Sequence, residues 1–171
     1  VCSSDLAQTI IDESISRLKE SHHKIVAALA ILDESSIWWK PNENSNSIGN
    51  ILLHLCGNLT QYILSGIGGL PDHRNRTEEF IHHTPIAKEE LVQKLEAIMD
   101  SVYAVIDQCD DAELLKLRGV QCYQMTGVGI LIHVTEHLSY HTGQIVYFAK
   151  WKTGRSMNFY DDERLKGKSG I

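Results

Sequence analysis

The sequence predicts an all-α fold in which four long helices form a bundle. Four segments of roughly 18–29 residues carry apolar side chains at helical spacing, and the stretches between them are polar or rich in glycine. At 171 residues the chain is long enough to bury a sizeable core, so we expect one helical domain over residues 1–171.

The first two helices are predicted over residues 5–33 and 48–65. In the first, isoleucine and leucine side chains form one apolar stripe. The polar loop KPNENSNS follows, and Ser45, Asn46 and Ser47 are all candidate N-caps for the second helix. That helix is apolar around most of its circumference, which indicates a central position in the bundle.

The third and fourth helices are predicted over residues 87–109 and from residue 126 or 127 to residue 150. Between them, residues 110–125 lose the helical period and are expected to form short extended or irregular segments. Beyond residue 154 the chain is polar, and we expect Met157, Phe159 and Tyr160 to pack back on the bundle.

Charge and cysteine content exclude several classes of protein. A net charge of −6 is inconsistent with general nucleic-acid binding, which needs Lys and Arg against phosphates. No run reaches the roughly 18 apolar residues of a membrane span. The four cysteines are far apart and indicate reduced thiols. The N-terminal residues lack the pattern of a secretory signal. Together with the reduced thiols, this predicts a cytoplasmic protein.

Histidine spacing in HVTEHLSYHTGQI indicates a metal site. His133, His137 and His141 follow one another at four-residue steps, which places them on one helix face. Either neighbouring pair could supply two imidazoles to a divalent ion, and His54 on the second helix could supply a third. By spacing alone, His54 could equally be a hydrogen-bonded core histidine, and imidazoles suit zinc, nickel, iron or copper.

Five short motifs follow one another along the chain: Trp39 with Pro41, residues 46–55, residues 74–80, Arg118 with Gly119, and residues 137–150. Together they resemble the DinB-like superfamily, and most closely an uncharacterised bacterial branch of the DUF1572 type. The resemblance implies an up-down-down-up bundle with a long crossover, commonly a homodimer. It also implies that His54, His137 and His141 are the metal ligands, and that His133 is only a neighbour of the site.

The resemblance also implies a reaction class. Some relatives transfer a low-molecular-weight thiol such as bacillithiol, so the expected cofactors are a divalent metal, zinc or nickel before iron or manganese, and such a thiol, with a small-molecule substrate. Gly143 is expected to allow close helix packing and Gln144 to hydrogen-bond near the ligands. Thr142 stands where many members have Arg, which puts an anion-binding role of that position in doubt.

Three further alternatives stay open on the sequence. The polar residues Arg74, Arg76 and Glu79 could line the mouth of the site or form an ion-pair cluster that fixes the crossover. The chain could be a metal-dependent hydrolase, with Glu136 as general base, or a non-enzymatic dimeric binding module. A closed structural metal site would need a fourth ligand, such as His133 or Glu136. Dimerisation rests on kinship, since no exposed apolar stripe is evident.

Overall fold

Four long helices form the body of the protein in the computed structural model, which describes residues 3–81 and 85–160. They are α1 (Ser3–Ile31), α3 (Ile48–Leu59), α5 (Lys88–Asp107) and α7 (Gly127–Thr153). Three helices of four or five residues lie between them: α2 (Glu34–Ile37), α4 (Glu78–Ile81) and α6 (Asp111–Leu115). The prediction of an all-α bundle is confirmed.

The order of helix directions follows from contacts between the long helices. Tyr103 of α5 lies beside His22 of α1, and farther along α1 the Lys88 ammonium donates to the Leu32 carbonyl, so these two helices are antiparallel. Helices α3 and α7 are also antiparallel, because His54 lies beside His137 while the later residue Asn58 lies beside the earlier His133.

Helices α1 and α7 run in the same direction. Ile10 shares a surface cavity with Val128, and Arg17 shares the next one with Thr135. The order is therefore up-down-down-up, as expected. Since α3 and α5 are parallel, the connection between them must cross the length of the bundle.

Local signals explain where α3 begins. Among the three candidate N-caps, Ser47 is the one used: its hydroxyl accepts from the Asn50 N–H at 3.1 Å, and the Asn50 side chain accepts from the Ser47 N–H at 3.2 Å. This reciprocal capping box satisfies two backbone donors. The Asn50 amide also donates to the Glu79 carbonyl at 2.9 Å, which fastens the crossover to α3.

The second predicted helix changes character in its last third. After Leu59 the chain continues as a π-helical segment, Thr60–Ser65, rather than as α-helix. Such segments are rare and occur often at functional sites. Here the Gln61 side-chain oxygen accepts from Arg74 at 2.8 Å and from Gln121 at 2.6 Å. The segment is thereby joined both to the crossover and to the loop that contains Gln121.

The irregular region before α7 contains one short helix that the periodicity does not reveal and one hairpin. Asp110 caps α6 by accepting from the Glu113 N–H at 2.8 Å. Strands β1 (Leu117–Val120) and β2 (Tyr123–Thr126) then pair antiparallel, with Leu117 opposite Thr126. The extended segments expected before α7 are therefore confirmed, and Thr126 caps α7 through the Gly129 N–H at 3.1 Å.

The core and the tail agree with the sequence expectations. Leu18, Ile25, Leu52 and Leu55 are fully buried between the long helices. The chain after α7 returns to α1: Met157 packs on the core, and the Phe159 and Tyr160 rings lie 5.8 and 4.7 Å from the Lys24 ammonium. Within the described ranges no helix is long and apolar enough to cross a membrane.

Candidate metal centre

Helices α3 and α7 bring three of the predicted histidines together. One ring nitrogen from each of His54, His137 and His141 lies within 4.8 Å of the other two. The His54 and His137 Nε2 atoms are 3.0 Å apart. His54 is buried, whereas the two histidines of α7 are half-buried, so the cluster is accessible from one side.

A buried carboxylate fixes the orientation of His54. The His54 Nδ1–H donates to Glu79 Oε2 at 2.8 Å, which leaves the Nε2 lone pair directed at the other two rings. A carboxylate behind a ligating imidazole is a common arrangement in metal sites, because it sets the tautomer and raises the basicity of the ligand. The Glu79 side chain is 8% exposed.

Arg74 in turn holds Glu79. The Arg74 guanidinium donates to both carboxylate oxygens, from Nε at 2.7 Å and from Nη2 at 3.0 Å. Burial alone would raise the pKa of Glu79, but the hydrogen bonds from His54 and Arg74 hold it below its usual value, so the carboxyl is ionised. Arg76 lies outside this pair, 5.0 Å above the Phe80 ring.

Gln144 fixes the orientation of His141. The His141 Nδ1–H donates to the Gln144 Oε1 at 2.7 Å, which again leaves Nε2 for the cluster. The hydrogen bond expected of Gln144 is therefore present. The expectation for Gly143 is wrong: it lies on the solvent side of α7, and nothing lies within 4 Å of where a Cβ would be.

The electrostatics favour the neutral form of the two α7 imidazoles in the cluster. Burial, together with the neighbouring His141 and His54, lowers the pKa of His137 to about 3. Burial also lowers the pKa of His141, although the Gln144 hydrogen bond opposes this shift. Neutral imidazoles retain the lone pairs that a metal requires. Zn–N bonds of 2.0–2.1 Å imply ligand nitrogens about 3.4 Å apart in a tetrahedral site, so the cluster fits a divalent ion after small adjustments.

His133 takes a different place from the other three. Its ring stacks on Tyr62 at 4.2 Å and lies 3.4 Å from the Asn58 amide, one turn before His137. It does not belong to the group of described residues that could hold an ion. Glu136 is exposed and lines the surface cavity that Arg17 of α1 and Thr135 of α7 share, away from the cluster. Neither residue supplies a fourth ligand.

Sequence reasoning missed two neighbours of the cluster. It left the role of Glu79 open and gave no sign that this residue contacts His54, which precedes it by a long stretch of chain. The Phe80 ring, 5.1 Å from the His54 ring, was not foreseen either. Both come from α4 in the crossover, whose position depends on tertiary packing. Thr142, at the position where many relatives have Arg, is buried and donates to the Leu138 carbonyl at 2.7 Å.

Gly57 provides the space for the Arg74–Glu79 pair. A Cβ at this position would lie 2.1 Å from Glu79 Oε1 and 3.0 Å from Arg74 Nε. We expect Gly57→Ala to displace the carboxylate and weaken metal binding about 10- to 100-fold, the usual cost of losing such a support. The measurement is competition titration against a chromophoric chelator.

The matched control for Gly57→Ala is Gly129→Ala in α7, where a Cβ would meet its neighbours at ordinary contact distances of 3.4 Å or more. Alanine favours helix over glycine at both positions, so helix propensity cannot explain a loss. Equal affinity in the two variants would show that the carboxylate does not support the site.

The fold and the histidine cluster define a class: four-helix bundles with a cluster of three histidines that could hold a metal ion. Within it, the chain belongs to the family described as "Protein of unknown function (DUF1572)", whose model matches residues 5–159.

Solved structures from three bacteria share the fold. A DinB-like protein from Bacillus subtilis has a TM-score of 0.65 at 15% identity, covering 85% of this chain and 94% of its own. A conserved protein from Enterococcus faecalis has a TM-score of 0.70 at 18% identity, covering 84% and 97%. An uncharacterized protein from Clostridium difficile has a TM-score of 0.63 at 20% identity, covering 83% and 95%. No curated protein matches the sequence.

Proposed function

We propose that the protein is a metal-dependent enzyme that transfers a low-molecular-weight thiol, such as bacillithiol, to a small electrophile. His54, His137 and His141 would hold one divalent ion, zinc or nickel before iron or manganese. The observation that carries the proposal is a cluster of three histidine imidazoles with no fourth protein ligand among the described residues. Sites of this kind keep coordination positions for small molecules.

A bound divalent ion would supply a Lewis acid that keeps a coordinated thiol in its nucleophilic thiolate form. The protein's own contribution is orientation. Glu79 and Gln144 each hold one ligand ring through its Nδ1–H, so two of the three Nε2 atoms point inward before any ion binds. This preorganisation favours one coordination geometry over others.

Aromatic residues beside the cluster offer a surface for a small substrate. The Phe80 ring lies 5.1 Å from the His54 ring, and the exposed Tyr140 ring lies 5.0 Å from the His141 ring. The exposed Arg76 guanidinium above Phe80 provides a positive charge for an anionic group on the thiol. An uncharged electrophile with a small apolar body fits these walls best.

The first test is metal content by mass spectrometry on untagged protein, followed by an assay of bacillithiol consumption with a chloronitrobenzene electrophile. We expect about one ion per chain and a transfer rate that falls to background when the ion is removed and returns when it is restored. No bound metal after zinc, nickel, iron and manganese have been supplied would refute the metalloenzyme. Bound metal without thiol transfer would refute only the reaction.

Hydrolysis has less support from the geometry. The exposed Glu136 is not placed at the cluster, and Glu79, the carboxylate that is, already accepts from Arg74 and His54. A general base needs a free lone pair within hydrogen-bond reach of the reacting water. Glu136 lines a different cavity, and three hydrogen bonds from Arg74 and His54 hold Glu79 behind the His54 ring.

A further inference from the structure

A strained residue lies at the turn of the β-hairpin. Gln121 and Cys122 connect β1 to β2, and Gln121 has a φ of 55°. Among residues 3–81 and 85–160 it is the only residue other than glycine with a positive φ. A side chain is unfavourable in this conformation, and two-residue hairpin turns usually place Gly, Asn or Asp there. A glutamine that retains it indicates that its side chain has a function.

Hydrogen bonds connect Gln121 to the support of His54. The Gln121 amide donates to Gln61 Oε1 at 2.6 Å, and Arg74 Nη1 donates to the same oxygen at 2.8 Å. Arg74 in turn holds Glu79, whose carboxylate orients the His54 ring. Gln61 is 9% exposed, and with two donors its side-chain oxygen has no further lone pair to offer. Gln61 is therefore fixed between the hairpin turn and Arg74.

Tyr62 determines which end of the Gln121 amide faces Gln61. The Tyr62 hydroxyl donates to Gln121 Oε1 at 3.2 Å, so the NH2 group of the same amide points to the Gln61 oxygen. The Tyr62 ring is itself held in place, because it is 2% exposed and stacks on the His133 ring at 4.2 Å. With both of its ends engaged, the Gln121 amide has one orientation.

We infer that Gln121 is a positioning residue of the metal centre. It holds Gln61, and through Gln61 the Arg74 guanidinium, in the place from which Arg74 fixes the Glu79 carboxylate behind His54. The inference rests on the metal site of the proposed function and adds the β-hairpin to the elements that shape it. The strained turn is retained because glycine would lack the amide.

Gln121→Gly separates positioning from folding. Glycine adopts a φ of 55° without strain, and this gain opposes the loss of two hydrogen bonds, so the midpoint of urea unfolding should stay close to the wild-type value. Zinc affinity should nevertheless fall about 3- to 10-fold, less than the roughly 10- to 100-fold usual for a residue bonded directly to a ligand, because Gln61, Arg74 and Glu79 intervene. Competition titration against a chromophoric chelator measures the loss.

A double variant tests whether Gln121 acts through Gln61. Gln61→Met removes the shared acceptor at nearly constant length and should weaken zinc binding at least as much as Gln121→Gly. Combining the two substitutions should cause no further loss, because the contact that each removes is already absent in the other. Losses that multiply in the double variant would show two independent effects and overturn the inference.

Gln124→Gly is the matched control, since it makes the same substitution at an exposed position of β2. It should weaken the strand yet change zinc affinity less than about twofold, because Gln124 is outside the hydrogen-bonded chain. An equal loss in both glycine variants would attribute the effect to hairpin flexibility and overturn the inference, as would an unchanged affinity in Gln121→Gly. Both results would leave the metal site standing. A wild-type protein that binds neither zinc nor nickel, iron or manganese would refute the proposed metal site together with this inference.

Discussion

Replacing Arg74 with Met is expected to destabilise the metal-free protein by about 3–5 kcal/mol, the usual cost of stranding one member of a buried ion pair. The Arg74 and Glu79 side chains are only 4% and 8% exposed, so the carboxylate that remains would be largely shielded from water. Of the two residues that donate hydrogen bonds to the Glu79 carboxylate, only His54 would remain. Urea denaturation of both proteins, followed by circular dichroism, measures the difference.

A control and a double variant separate the fold from the site. Arg17→Met breaks a pair in which Arg17 is 61% and Glu20 39% exposed, and it should cost less than about 1 kcal/mol. Arg74→Met combined with Glu79→Leu should recover most of the stability, because apolar residues can replace a buried pair. The double variant should nevertheless bind metal about 10- to 100-fold more weakly, since His54 loses its support. If Arg74→Met lowers the free energy of unfolding no more than Arg17→Met does, the prediction is wrong.

The bundle could be predicted because its signals are local. Apolar residues repeat at helical spacing in all four long segments, and Ser47 and Thr126 cap helices where polar residues precede apolar runs. The pairing of His137 with His141 could likewise be predicted, because it depends only on their spacing within one helix. His54 could be named from the sequence as a possible third ligand, but only the family resemblance assigned it to this pair. Periodicity within one helix does not show which residues of another helix it contacts.

The rest depends on tertiary structure. Glu79 reaches His54 because the crossover lies against α3, at a position set by the Asn50 amide and by the space at Gly57. The change to π-helix after Leu59 has no signal in an otherwise helical pattern.

The exposed apolar residues of α7 could not be recognised from the sequence for a different reason. A helix with apolar residues on most of its circumference gives no clear stripe, so buried and exposed members cannot be told apart from the sequence. Tyr140 and Tyr147 are recognisable as surface residues only once the core side of α7 is known. The same ambiguity led to the wrong expectation for Gly143, a glycine that is exposed rather than packed between helices.

Replacing His137 with Ala is expected to reduce metal affinity at least about a hundredfold, which exceeds the usual effect of losing a supporting residue. His137 is the central member of the cluster: its ring centre lies 4.9 Å from that of His54 and 4.6 Å from that of His141. Two remaining imidazoles on different helices cannot enclose an ion as three can. Competition titration and metal content by mass spectrometry measure the loss.

His133→Ala is the matched control, since it removes the same side chain one turn earlier on the same helix. His133 stacks on Tyr62 and lies outside the cluster, so its loss should change affinity less than about tenfold. Because the pKa of His137 is about 3, its ring is neutral at pH 7, and removing it strands no buried charge. Both variants should therefore stay folded. Equal loss of metal in the two would place the ion nearer His133 and refute the assignment of His54, His137 and His141 as its ligands.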